Sequence, residues 1–219
     1  MTIEPNIKRI KPRLRGELHR YAFFASLLPG AMLIAAAPSR RAAVAAAVYA
    51  TSLTALLGTS ALYHCRNWAP RARFWMARLD LAMIFVLIAG TWTPIALLAL
   101  EPPLSMLVLA FMWSLALAGS VLKLFWTTAS KAASAAVYIA VGSVAALFLP
   151  QIHAAIGNTG TGLLISGGLL YILGAAVYGL QRPDPLPELF GYHEIFHGLV
   201  VVAATLHFTA VAAYVIPAG

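Results

Sequence analysis

Two histidines four residues apart, in the run Gly191-Tyr192-His193-Glu194-Ile195-Phe196-His197, are the side chains of this sequence best spaced for chemistry. Residues i and i+4 share one face of a helix, so both imidazoles can grip a single metal ion. His64, at the end of an earlier apolar segment, and Asp80, at the start of the next, complete a candidate site. Three neutral imidazoles plus water make the open tetrahedral arrangement of a catalytic zinc, which lowers the pKa of that water toward ~7. Asp80 would then partner the water or orient a histidine. Ser60 lies one turn before His64 on the same face, in reach of a supporting hydrogen bond or a substrate group. Serines in such helices also bond back to their own backbone. The single cysteine, Cys65, excludes an internal disulfide and a cysteine-rich zinc site, and reads as an ordinary thiol beside the cluster.

The elements that must position these residues are membrane spans. Of 219 residues, 61% are hydrophobic and only 10% charged, where a water-soluble domain carries about a quarter. A spanning helix needs about 20 mainly apolar residues. Seven segments qualify, at about 21–38, 42–63, 79–100, 104–122, 132–150, 161–180 and 194–216. None alternates with period two, which disfavours a β-barrel. Small residues such as Ala43, Ala45, Ala46 and Ala47, and Gly167, Gly168 and Gly174, allow close helix packing in lipid. The prediction is an all-α integral membrane protein, with a basic tail over 1–20 and one seven-helix domain over 21–219. The first apolar stretch is long and lacks a convincing cleavage site, so no signal peptide is expected.

Lys and Arg set the orientation. With the amino terminus in the cytoplasm, that side holds Lys8, Arg9, Lys11, Arg13, Arg15 and Arg20 of the tail and Arg66, Arg71, Arg73 and Arg78 of the second connection. It also holds Lys123, Lys131 and Arg182, leaving only Arg40 and Arg41 outside. The carboxyl terminus falls outside. His64, Asp80, His193 and His197 then all lie at the cytoplasmic ends of their spans, although the charge count made no use of them. The net charge of +8 reads as a topology signal and an attraction to anionic lipid. No aromatic-interleaved basic patch accompanies it, so no nucleic-acid partner is expected.

Together, Ser60-Ala-Leu-Tyr-His64, Leu79-Asp80, Gly90-Thr-Trp-Thr-Pro94 and the run 191–197 resemble the signature blocks of the hemolysin III family. These are bacterial relatives of the progestin and adipoQ receptors, in a superfamily that includes the alkaline ceramidases. The resemblance runs from about Glu17 to Ala213. It implies a seven-helix protein of the bacterial inner membrane, with an internal amino terminus. It also implies zinc on His64, His193 and His197, Asp80 on the zinc-bound water, Ser60 close by, and hydrolysis of a lipid amide or ester. Two departures concern the pocket lining. A Glu-x-x-Asn-x-x-Thr/Ser-His pattern is largely absent after Glu17, with His19 no clear replacement, and Leu81 stands where relatives commonly carry His.

Other readings compete. His193-Glu194-x-x-His197 is literally the H-E-x-x-H pattern of zinc proteases, but no Asp or Glu follows Glu194 to serve as a further ligand. Glu194 is expected to be a solvated carboxylate near a loop. His207 lies ten residues, about 15 Å of helix, beyond His197, so it is expected to be a hydrogen-bonded histidine inside the bundle. His153 is expected in the outer loop between the fifth and sixth spans, and His19 in the solvated tail. Pro29 and Pro94 fall inside spans, where proline bends helices; the bend at Pro94 could open a cavity above the metal or simply serve packing. Three functions remain: a zinc hydrolase acting on membrane lipid, a sensor or regulator with structural zinc, and a membrane-damaging factor.

Overall fold

The computed structural model describes residues 12–125 and 129–219, and every regular element within them is helical. Lys8, Arg9 and Lys11 of the basic tail lie outside those residues. The helices are α1 (Glu17–Ala35), α2 (Arg40–Cys65), α3 (Pro70–Ala99), α4 (Leu104–Phe125), α5 (Lys131–Gly142), α6 (Leu149–Leu180) and α7 (Tyr192–Ala210). A 3-10 stretch (Ser143–Phe148) joins α5 to α6, and a π turn (Val211–Val215) extends α7.

Local chemistry explains where the helices begin. Ser39 and Ser130 cap α2 and α5, each hydroxyl accepting a backbone N–H three residues on at 3.1 Å. Pro70 opens α3, at a position where its missing N–H has no helical partner to lose. That start lies well before the expected residue 79, so Arg71, Arg73 and Arg78 belong to a helix and not to a loop. Arg78 is buried; its Nε donates to the Leu124 carbonyl at 2.9 Å, satisfying an otherwise orphaned group at the end of α4.

Six helical stretches among the described residues are long and apolar enough to cross a membrane. The fifth comprises 50 residues, Lys131–Leu180, and contains both segments expected at 132–150 and 161–180. A straight helix of that length would reach about 75 Å, more than twice a hydrocarbon core. It is not straight. Gly157 adopts φ 69° and ψ −175°, a conformation essentially reserved for glycine, and there the chain turns back. Gly179 therefore lies against α5, where an added Cβ would sit 3.2 Å from the Cβ of Ala135. His153 falls within α6 rather than in a loop, though it is exposed as expected.

The interior is assembled around two apolar clusters. Phe85, Trp92, Met112 and Ile152 tie α3 to α4 and α6, while Tyr49, Leu53, Leu87 and Val200 tie α2 to α3 and α7. Large apolar side chains also cover the outside, among them Leu28, Leu107, Leu117 and Leu169. A water-facing surface rarely carries so much of this, whereas a lipid-facing one requires it.

Candidate metal centre

α2 brings His64 in its last turn, and α7 brings His193 and His197 in its first two. All three are buried, and one ligand atom from each lies within 4.8 Å of the others. The Nε2 atoms of His64 and His193 are 3.2 Å apart. Two nitrogens bound tetrahedrally to one zinc at ~2.0–2.1 Å stand about 3.3–3.4 Å from each other, so this pair already has ligand spacing. The three buried imidazoles could hold a metal ion.

Asp80, on α3, places Oδ2 3.4 Å from the same His64 Nε2 that faces His193. A carboxylate that only oriented His64 would bond the other ring nitrogen. Asp80 is thus on the ligand side of the imidazole. Ser60 is buried one turn earlier on α2 and lines the same cavity. The structure brings together all five of the residues singled out from the sequence.

A strap formed by residues 12–16 closes over the cluster. Its backbone bonds to the loop before α7, from Arg13 N–H to the Glu188 carbonyl (3.0 Å) and from Leu14 N–H to that of Leu189 (3.3 Å). Arg15 Nε donates to Glu194 Oε1, and Glu194 Oε2 accepts the Gly191 N–H at 2.9 Å, capping α7. Glu194 is 1% exposed, which corrects the expectation of a solvated carboxylate. Both of its oxygens are committed, so the H-E-x-x-H spacing here offers no free general base. Gly16 has φ 87°, and a Cβ there would stand 2.6 Å from the Cβ of His64. Only glycine lets the strap lie this close to a candidate ligand. Cys65 is beside the cluster as expected, its Sγ 3.9 Å from the Arg15 carbonyl.

His19 is the second correction. It is 3% exposed, its ring lies parallel to that of His197 with centroids 3.8 Å apart, and it lines the cavity. Neither of its ring nitrogens has a hydrogen-bond partner among the described residues. Leaving such a group unpaired costs roughly 1–3 kcal/mol, so the position calls for a partner. One signal was available in the sequence. Positions 19, 23, 26, 30 and 33 follow the 3-4 spacing of one helix stripe, and His19, Gly30 and Leu33 are its buried members. The apolar run starts later than the helix because Glu17 and Arg20, joined at 2.6 Å, occupy its exposed first turn.

A cavity of about 510 Å³ leads away from the histidines, walled mainly by apolar side chains including Ile88, Ile95, Ile152 and Leu164. Thr91 and Trp92, beside the buried Pro94, line it as well, so the stretch of α3 around that proline forms part of its wall. His207 marks its far part and is hydrogen-bonded as expected, Nε2 lying 3.0 Å from the Leu164 carbonyl.

Comparison with known proteins shows the family. The haemolysin-III related family profile matches residues 7–208. Hemolysin-3 of Bacillus cereus is 34% identical over 176 residues, spanning 80% of this chain and 77% of that protein. A Hemolysin-3 homolog of Bacillus subtilis is 33% identical over 136 residues, 62% of this chain and 61% of that one. More distantly, the human monocyte to macrophage differentiation factor is 25% identical over 175 residues, covering 78% and 70% respectively. A multi-pass membrane protein by its apolar helices, the chain belongs to the haemolysin-III related family.

Proposed function

We propose that this protein is a zinc-dependent hydrolase of a lipid amide or ester. The observation that carries the reading is the placement of three buried imidazoles and a carboxylate at one end of a cavity with apolar walls. His64, His193 and His197 would hold the ion; the all-nitrogen donor set and the 3.2 Å nitrogen spacing suit zinc. Bound there, zinc supplies Lewis acidity and brings the pKa of a coordinated water toward ~7. Asp80 Oδ2, on the ligand side of His64, is placed to accept the proton that such a water gives up. Ser60 Oγ offers the substrate a hydrogen bond one helical turn away. The apolar walls take an acyl chain and keep bulk water from the reacting bond. Arg15 neutralises Glu194, so that carboxylate holds α7 and the strap in place and leaves Asp80 as the base.

The proposal extends to topology. The stretch Lys131–Leu180 doubles back at Gly157, which makes two crossings of one stretch and seven in all. Arg15, Arg66, Arg71, Arg73, Lys131 and Arg182 gather at the histidine end, which supports reading that end and the amino terminus as cytoplasmic in a bacterial inner membrane. Metal analysis of the purified protein tests the centre: zinc is expected in the unsubstituted chain and lost from His64→Ala, His193→Ala and His197→Ala. Asp80→Ala is expected to keep zinc and lose the lipid products detected by mass spectrometry. Zinc retained in all three histidine variants, or products unchanged in Asp80→Ala, would refute the reading.

A further inference from the structure

His19 is the one buried polar side chain at the centre that the roles above leave unused. It reaches the cluster from α1, whereas the ligand set comes from α2 and α7. Its ring is parallel to His197 within 5°, with 3.8 Å between centroids, and both ring nitrogens are buried without partners among the described residues. Ordinary core packing does not account for this, because a phenyl or leucyl side chain would fill the space without burying two unpaired nitrogens.

The stacking decides what those nitrogens can reach. An imidazole binds a metal along a lone pair in its own plane, so an ion on His197 lies in the His197 plane. The lone pair and N–H of His19 point along a parallel plane one ring thickness away, and pass beside that ion. A further group bound to the same ion, about 2 Å out on the His19 side, comes close to the His19 plane. We propose that His19 is a binding residue of the metal centre: its imidazole hydrogen-bonds the exogenous group at the ion's remaining position and does not itself ligate the ion. This inference rests on the metal reading above. It assigns α1 a direct part in ligand recognition and gives one of the two unpaired nitrogens a partner.

The experiment uses the full-length protein in detergent, loaded with zinc for stoichiometry or with cobalt(II) for its visible spectrum, and azide as the probe. His19→Phe keeps a flat ring against His197 and removes both nitrogens. It is expected to bind as much zinc as the unsubstituted protein, to keep its cobalt spectrum, and to bind azide about three- to tenfold more weakly. His19→Gln, which restores a hydrogen-bonding group, is expected to recover most of that affinity. If His19→Phe fails to fold, His19→Leu takes its place in the same titration. Unchanged azide affinity in the apolar variant overturns the proposal, and so does loss of zinc or an altered cobalt spectrum, which would make His19 a ligand. An unsubstituted protein that takes up no metal overturns the metal reading itself, which is a separate outcome.

Discussion

Replacing Arg15 by Met should destabilise the protein, and the structure sets the size of the effect. Glu194 is 1% exposed and loses its guanidinium partner in this variant, while the methionine fills much of the space of the arginine stem. Stranding a fully buried charge costs about 3–5 kcal/mol. Two features reduce that here. The Arg15 side chain is 21% exposed, so water reaches its end of the pair. Glu194 also keeps the Gly191 N–H bond and its place at the positive end of α7, the latter worth roughly 0.3–1 kcal/mol. A net loss of about 2 kcal/mol is expected, or roughly 4–8 °C in the melting temperature of a chain this long. Tryptophan fluorescence during thermal unfolding in detergent measures it. Adding Glu194→Gln removes the stranded charge, so the double variant should recover about half of the loss instead of adding to it. A shift within error for Arg15→Met, or strictly additive losses in the double variant, refutes the claim that this pair holds the strap on α7.

Gly157→Ala should lower stability by roughly 1–3 kcal/mol, because φ 69° with ψ −175° is a conformation alanine avoids although no neighbour crowds it; the same melting assay reads it, and an unchanged midpoint argues against the turn. Gly16→Ala should reduce zinc occupancy with His64 still present, since the new methyl group would overlap the Cβ of that ligand; metal analysis at limiting zinc measures it, and full occupancy contradicts the close approach of the strap. His207→Phe should leave zinc content intact and cost about 1 kcal/mol by removing the imidazole's bond to the Leu164 carbonyl; loss of zinc would mean that His207 takes part in the centre.

Most of the bundle was legible because span length and hydropathy are local properties that lipid imposes directly. The three blocks that carry His64, Asp80, His193 and His197 were legible for a related reason, since polar groups at span ends stand out against apolar sequence. Three features were not. α3 begins at Pro70 because its first turns run beyond the apolar segment and carry arginines, one of which caps α4. The burial of Glu194 depends on Arg15, 179 positions away in the chain, and no local pattern encodes that distance. His19 sat among charged residues and resembled them, although its stripe along α1 faces inward. In each case a long-range partner overrode the local composition.

The candidate metal centre joins residues 129 positions apart in the chain, His64 and His193, and is overlaid by the strap 12–16. At about 5–20 residues per second of synthesis, the second helix leaves the ribosome roughly 6–26 s before the seventh arrives. Nascent chains therefore expose a single imidazole of the trio during that interval and gain the other two only when α7 emerges. On the proposed zinc reading, loading with metal would have to wait for α7, and fragments released before it would emerge unable to retain the ion.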